Sequence, residues 1–163
     1  MLAVSNTSPI SSLAIIGHLN LLKLQFSTVW IPSAVAAELA AHPDPAALVV
    51  IQTAIRDQWI KTTAPQATTL LGILLSALHQ GEAEAIVLAS ELNADIVIID
   101  EQEGRQFAIQ AGLSVTDVLG VLLRAKLAGH ISALKPEIQA LRHKARFFIA
   151  PSLEASVLSS AGE

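Results

Sequence analysis

Short apolar runs alternate with longer segments of helical spacing along most of the chain. The clearest run is 95–100, whose middle holds four consecutive β-branched residues, as expected of a strand buried on both faces. Four shorter runs predict further strands, at 2–4, 28–31, 59–62 and 113–115. Because helical segments separate these strands, the pattern predicts an α/β fold with three α/β/α layers around a mostly parallel sheet of about five strands.

The helical segments follow from apolar spacing and from Pro and Gly at their ends. They are predicted at 9–16, 18–24, 32–41, 46–57, 66–78, 82–92, 101–111, 116–128 and 133–146. From about residue 147 the pattern is weaker, and we expect one more helix that packs Leu153, Val157 and Leu158. No repeat or linker interrupts the chain, so we expect a single domain over residues 1–163.

Composition narrows the class of protein. Hydrophobic residues make up 52% of the chain and aromatic residues only 4%, so the core is built mainly from Leu, Ile, Val and Ala. The sequence contains no Cys, which excludes disulfides, thiolate zinc sites and cysteine nucleophiles. The apolar N-terminus lacks a basic segment, since the first Lys is Lys23, and no apolar run is long enough to span a bilayer. We therefore expect a cytoplasmic protein without membrane contact.

The charge of the chain argues against one mode of nucleic-acid binding. A formal net charge of −4 does not suit a protein that coats nucleic acid nonspecifically, because such binding depends on clustered Lys and Arg. Six basic residues lie in the last third of the sequence, and we interpret them as solvated helix faces: Arg124, Lys126, Lys135, Arg142, Lys144 and Arg146. An acidic enzyme that reaches RNA through a metal ion remains compatible with this balance.

Acidic residues stand at the predicted strand ends and helix starts. They are Glu38, Glu82, Glu84 and Asp100, and the polar segment 5–8 ends the first strand beside them. In parallel sheets, sites form beyond the carboxyl ends of the strands where the strand order reverses, and Asn6 and Asp100 each stand at such an end. If these side chains converge, they form an oxygen-only pocket suited to Mg²⁺ or Mn²⁺.

Each of these residues also has a simpler structural explanation. Asp100 is a suitable N-cap for the helix that follows it, and Asn6 with Ser8 could cap the first helix. Glutamates in the first turn of a helix are favoured by its dipole, which explains one of Glu82 and Glu84 better than both. Of that pair we expect Glu84 to be the ligand, with Glu82 behind it or acting through water. A solvated position in mid-helix would equally explain Glu38.

Several segments in the same order resemble the PIN-domain superfamily, in particular its PIN-like branch related to VapC-type toxins. The matching text is VSNTSPISSLAIIG, IPSAVAAEL, the long stretch from LHQGEAEAIVLAS to AKLAGHI, and a terminal AGE. The resemblance implies a small α/β/α domain whose acidic residues hold one or two Mg²⁺ or Mn²⁺ ions. It also implies ribonuclease activity on single-stranded RNA.

The acidic positions of that superfamily fall on Asn6, Glu38, Glu84 and Asp100. The first position is usually Asp, so Asn6 is a departure that bears on metal affinity. Asp117 lies near a further acidic position of some PIN domains and could compensate. Thr7 and Ser8 could position the phosphate or a metal-bound water. A turn into its helix, Arg105 could contact phosphate or pair with Glu101.

Three hypotheses follow. The first is a metal-dependent endoribonuclease with Glu38, Glu84 and Asp100 as catalytic metal ligands, acting as the toxin of a toxin–antitoxin pair, as a homodimer blocked by a small antitoxin protein. The second is a catalytically weakened PIN-like interaction module with Asn6 as the lesion. A phosphatase of the haloacid dehalogenase type or a receiver-like domain is disfavoured, because both need an aspartate where Asn6 stands. No serine nucleophile elbow, dinucleotide fingerprint or Walker A lysine is present.

Overall fold

Strands and helices alternate along the protein as the sequence predicts. The computed structural model describes residues 1–163, the whole chain. The strands are β1 (Leu2–Ser5), β2 (Thr28–Pro32), β3 (Ile60–Thr63), β4 (Ile96–Ile98) and β5 (Val115–Thr116). The helices are α1 (Thr7–Ile15), α2 (Asn20–Gln25), α3 (Ser33–Ala40), α4 (Pro45–Arg56), α5 (Thr68–Leu74), α6 (Gln80–Glu91), α7 (Gln102–Gln110), α8 (Val118–Leu127), α9 (Lys135–Lys144) and α10 (Pro151–Ala161).

The five strands form one sheet in which every neighbouring pair is parallel, in the order β3-β2-β1-β4-β5. Successive strand residues point to opposite faces, so Ala3 and Ile98 join one apolar cluster whereas Val4 and Val97 join the other. The first cluster also contains residues of α1–α4 and α8–α10, and the second contains residues of α5–α7. The three-layer α/β/α architecture is therefore confirmed, and it explains why β4 is apolar and buried without alternation.

The strand order reverses between β1 and β4, the two central neighbours. From β1 the chain continues outward to β2 and β3, whereas β4 continues to β5 on the other side. Ser5 pairs with Ile98, and the Asn6 backbone N–H donates to the Ile98 carbonyl at 3.2 Å. The residues that follow β1 and β4 consequently lie side by side at the carboxyl edge of the sheet.

Several element boundaries differ from those predicted, most of all for α5, which covers only Thr68–Leu74 of the predicted 66–78. Two of the differences involve acidic residues of interest. Helix α6 begins at Gln80 rather than at Glu82, because the Glu82 carboxylate accepts the backbone N–H of His79 at 3.1 Å and stabilises an earlier first turn. Strand β4 ends at Ile98 rather than at Asp100. Its partner β5 has only two residues, so the ladder ends once the Ile99 N–H has reached the Thr116 carbonyl at 2.9 Å.

The tail forms the expected additional helix, α10. Val157 and Leu158 pack against the larger apolar cluster, but Leu153 is 45% exposed, so its predicted burial is wrong. The Glu163 carboxylate accepts the backbone N–H groups of Leu134 at 2.6 Å and of Lys135 at 3.0 Å. Residue 163 is thus hydrogen-bonded to the start of α9. None of the helices combines the length and the apolar character that crossing a membrane would require.

Candidate functional site

A polar cleft of about 450 Å³ lies at the carboxyl edge of the sheet, where the strand order reverses. No hydrophobic residue lines it. The lining consists of Asn6, Thr7, Ser8, Ser11, Glu38, His79, Gln80, Gly81, Glu82 and Glu101. Three carboxylates in one cleft without Lys or Arg create a strongly negative local potential, which attracts cations and repels phosphate.

Asn6 stands between β1 and α1 at the base of this cleft. Its side chain is 3% exposed, and its Nδ2 group donates to Glu101 Oε2 at 2.7 Å. The other amide atom, Oδ1, is buried and has no hydrogen-bond partner. Although Asn6 occupies the N-cap position of α1, its side chain makes no capping bond, so the capping explanation for this residue is wrong.

Glu38 reaches the cleft from the middle of α3. Its carboxylate accepts a hydrogen bond from the Thr7 hydroxyl, across the cleft on α1. A Cβ on Gly81 would lie 3.3 Å from Glu38 Oε1 and 3.2 Å from a methyl group of Val35, so glycine leaves the carboxylate room beside α6. Glu38 is exposed, yet these contacts place it over the cleft rather than on an outer face.

Glu82 and Glu84 at the start of α6 have different surroundings, although each is only 7% exposed. Both oxygens of Glu84 accept a hydrogen bond: Oε2 accepts the Ala34 backbone N–H at 3.1 Å and Oε1 accepts from Gln80 Nε2 at 2.7 Å. Glu82 lines the cleft, whereas Glu84 does not. Burial raises the pKa of the Glu82 carboxyl, as does the nearby negative charge of Glu101. Glu82 is therefore the one of the two that faces the cleft, whereas the sequence analysis expected Glu84 to be the metal ligand.

Asp100 lies beside the cleft but is not part of its lining. Its Oδ1 accepts the backbone N–H of Val118 at 2.8 Å, and its Oδ2 accepts from the Ser8 hydroxyl at 3.0 Å. Asp100 therefore joins the first turns of α8 and α1 rather than capping α7, the helix that directly follows it. Burial raises the pKa of this carboxyl to about 7 in spite of both hydrogen bonds.

Asp117 and Arg105 form an ion pair away from the cleft lining. Asp117 also accepts the Gly120 N–H at 2.7 Å and so caps α8. The suggested pairing of Arg105 with Glu101 is wrong, since the guanidinium donates to Asp117 instead. The carboxylate of Asp117 is thus already balanced by a cation and by a backbone donor.

Sequence reasoning missed Glu101 as a site residue. It lies in the cleft, contacts Asn6 and adds a third carboxylate to those of Glu38 and Glu82. A signal was available, because Glu101 is the second acid after the clearest strand. Helix α7 begins only at Gln102, so Glu101 remains in the loop at the sheet edge rather than on the outer surface of a helix.

The donor set of the cleft fits a hard divalent cation. No group of three or more His, Cys, Asp and Glu side chains is placed to enclose a metal ion. Mg²⁺, however, is usually held by one or two carboxylates and keeps several waters, so separated carboxylates in an open cleft suit it. The unpartnered Oδ1 of Asn6 supports the fit, because a buried acceptor without a donor costs about 1–3 kcal/mol and a cation would supply its missing partner.

Comparison with known proteins agrees with this fold. Residues 2–163 match the profile of the DUF3368 family, a PIN domain. Among solved structures, the chain is similar to a PilT N-terminus domain protein from the hyperthermophilic archaeon Sulfolobus solfataricus P2, with a TM-score of 0.52 and 21% sequence identity. That similarity covers 77% of this chain and 93% of the archaeal one, and at this identity it shows the fold alone. No curated protein sequence matches the chain.

Fold, cleft and profile together define a domain of the PIN superfamily, which is of nuclease type and whose members generally depend on divalent metals. Within it, the chain belongs to the DUF3368 family, whose profile spans all but the first residue.

Proposed function

We propose that the protein is a metal-dependent endoribonuclease that cleaves single-stranded RNA. One observation carries the proposal: an all-polar cleft at the reversal of strand order combines three carboxylates with a buried amide oxygen that has no partner. A polyanionic RNA strand is repelled by such a cleft unless a cation is bound there. The negative potential that attracts the cation therefore also makes a bound cation necessary for RNA to enter the cleft.

In this proposal, Mg²⁺ or Mn²⁺ would be held from the cleft side by Asn6, Glu38 and Glu82, with Glu101 lining the cleft beside Asn6. Glu84 and Asp100 support the same edge from behind, through their bonds to the starts of α3 and α8. Each accepting carboxylate oxygen keeps a second lone pair, so both can still contribute a ligand atom. When bound, the ion would lower the pKa of a water and offset charge on the scissile phosphate.

Hydroxyl groups of the first turn of α1 take two roles in the proposal. The Thr7 hydroxyl donates a hydrogen bond to Glu38 and the Ser8 hydroxyl donates one to Asp100, which orients both carboxylates. Each hydroxyl oxygen then remains only as an acceptor. This suits an attacking water, which can donate a hydrogen bond, better than a phosphate oxygen, which can only accept. Arg105 would support Asp117 rather than meet the phosphate directly, since the two form an ion pair.

The remaining parts of the proposal rest on the resemblance to VapC-type toxins. They are the role as toxin of a toxin–antitoxin pair, a small antitoxin protein as partner, a homodimer and a cytoplasmic location. An antitoxin segment that blocks a cleft with three carboxylates would need a basic side chain, Lys or Arg, at its tip. We therefore expect the antitoxin to carry a Lys or Arg in the segment that enters the cleft.

The test is cleavage of a mixed pool of single-stranded RNA in Mn²⁺, with wild type compared with Asp100→Asn and Glu38→Gln. We expect cleavage that EDTA abolishes and that falls by about a hundredfold in both variants, because each removes a charge that supports the ion. Glu103→Gln is the matched control: Glu103 is an exposed acid on α7 outside the cleft. Cleavage that survives EDTA or Glu38→Gln would contradict the proposal.

A second candidate is a PIN-like interaction module without catalysis. Two observations favour it: Asn6 replaces the usual first acid, and no three acidic or histidine side chains enclose an ion. Calorimetry with Mn²⁺ separates the candidates. Well-folded wild type that neither binds Mn²⁺ nor cleaves RNA would select the interaction module.

A further inference from the structure

The side-chain amide of Asn6 is held in one orientation by Glu101. Its Nδ2 group donates to Glu101 Oε2 at 2.7 Å, whereas Oδ1 is buried without a partner. An ionised carboxylate can only accept hydrogen bonds. The opposite amide orientation would place two acceptor oxygens against each other at hydrogen-bond distance, which is repulsive. Glu101 therefore determines which atom of Asn6 remains available.

The backbone around Asn6 leaves the side chain little freedom to escape this constraint. Asn6 directly follows a central strand, its N–H donates to the Ile98 carbonyl at 3.2 Å, and its side chain is 3% exposed. The Ser5 hydroxyl donates to the Asn6 carbonyl at 3.0 Å. A fixed backbone together with a fixed amide gives Oδ1 a single position, in a residue that itself lines the cleft.

We propose that Glu101 is a positioning residue that makes Asn6 an oxygen donor for the divalent cation and supplies the charge that Asn6 lacks. The inference rests on the metal site of the proposed function and extends it. An aspartate at position 6 would supply both an oxygen ligand and a negative charge. In the Asn6–Glu101 pair, each residue supplies one of these. Asn6 provides the neutral oxygen, and Glu101 provides the negative charge together with the orientation.

This assignment replaces Asp117 as the compensating acid. Asp117 is paired with Arg105 and caps α8, and it does not line the cleft. Glu101 lines the cleft, is exposed towards it and has no cationic partner. Charge compensation for the missing acid thus comes from the residue that contacts Asn6 directly.

The test is a double-mutant cycle at the two positions, read out as the Kd for Mn²⁺ from electron paramagnetic resonance of the free ion. We expect Glu101→Gln to weaken Mn²⁺ binding about tenfold, because a glutamine can donate and no longer fixes the Asn6 amide. In the Asn6→Asp background we expect this weakening to be lost. There Glu101 would face another carboxylate, so Glu101→Gln should leave the affinity unchanged or strengthen it.

Controls separate positioning from other roles of Glu101. Glu103→Gln removes one charge from the same helical region and should leave the Kd within about twofold of wild type, because exposed charges outside a site contribute little. A purely electrostatic or structural role of Glu101 would weaken binding by similar factors in both backgrounds, and that result would overturn the inference. Urea unfolding checks that Asn6→Asp is folded; if it is not, Glu101→Ala and Glu101→Asp in the wild-type background replace the cycle.

A second measurement needs no metal. The Asn6 side-chain N–H resonances in apo protein should be shifted downfield and protected from exchange, and Glu101→Ala should remove both signatures. Their persistence in Glu101→Ala would overturn the positioning role. Failure of this inference can be told apart from failure of the proposed function. If Mn²⁺ binds and the weakening by Glu101→Gln is lost in the Asn6→Asp background, but RNA is not cleaved, the nuclease proposal is refuted and this inference stands. If wild type cleaves RNA with Mn²⁺ but Glu101→Gln binds Mn²⁺ as Glu103→Gln does, this inference is refuted and the nuclease proposal stands; absence of Mn²⁺ binding would refute both.

Discussion

Asp100→Asn is expected to remove a loss of folding stability that the wild type suffers as the pH rises. The substitution is nearly isosteric, and both contacts of the side chain survive it. Oδ1 continues to accept the Val118 N–H, and the new Nδ2 group donates to the Ser8 hydroxyl, which can rotate to accept. What changes is that position 100 no longer carries a titrating group.

The magnitude follows from linkage. Burial raises the pKa of Asp100 from 3.8 to about 7. In the window between these values, the unfolded chain releases the proton first, so the folded state binds more protons and its stability falls as the pH rises. Well below pH 3.8 both states are protonated and this cost is absent. Across the whole window the loss is on the order of 4 kcal/mol, at about 1.4 kcal/mol per pH unit.

The assay is urea unfolding in EDTA at half-unit steps from pH 4 to 8, followed by circular dichroism and by the fluorescence of Trp30 and Trp59. Subtracting the free energy of unfolding of wild type from that of Asp100→Asn cancels the other carboxyl groups. We expect the difference to grow with pH and to level off above about 7. Asp57→Asn, at an exposed carboxylate that ends α4, controls for the removal of one negative charge.

Two results would refute this reasoning. A difference that does not vary with pH would mean that the folded state does not hold the Asp100 proton more tightly than the unfolded chain. A difference that shrinks as the pH rises would mean that hydrogen bonds outweigh burial. Ser8→Ala gives an internal check: removing one donor to the ionised form should move the plateau to higher pH, by about half a unit to one unit.

Three further predictions concern the cleft, helix α5 and the tail. In Gly104→Ala, the new Cβ would lie 3.1 Å from Glu82 Oε1, so Mn²⁺ binding should weaken about tenfold; Gly72→Ala, with nothing within 4 Å, should instead raise stability by about 0.5–1 kcal/mol in urea unfolding. Unchanged Mn²⁺ affinity in Gly104→Ala would show that Glu82 is no ligand. Two backbone hydrogen bonds lower the pKa of Glu163, so Glu163→Gln should reduce the urea midpoint at neutral pH. The difference in urea midpoint between this variant and wild type should vanish as the pH falls below the usual pKa range of a glutamate. A difference that persists in acid would assign the effect to packing.

The order and kind of the elements were predictable because they depend on local pattern. Short runs of strand-forming residues predicted all five strands, and helical spacing between them implied parallel pairing with two covered faces. Element ends were less predictable, since they depend on partners distant in sequence. Strand β4 ends where β5 has no further residue, and Leu153 is exposed because α10 turns other residues towards the larger cluster.

The residues that line the cleft could not be predicted from the sequence, because they depend on which hydrogen-bond partner each side chain reaches in the folded protein. From the sequence, Glu82 and Glu84 are equivalent acids of one helix start. Only the tertiary structure shows that Ala34 and Gln80 engage Glu84, while Glu82 faces the cleft beside Glu101. Side-chain direction at the start of a helix changes by about 100° per residue, so neighbouring acids in one motif reach different partners.

The sequence alone determined the parallel sheet, the family resemblance and the edge at which polar residues gather, because apolar periodicity and strand ends are encoded locally. The tertiary structure alone decided that Asp100 joins α1 to α8, that Asp117 belongs to Arg105, and that Asn6 is paired with Glu101. These contacts join residues 12 to 95 positions apart in the chain. Such pairings follow from strand order and packing, which no local pattern specifies.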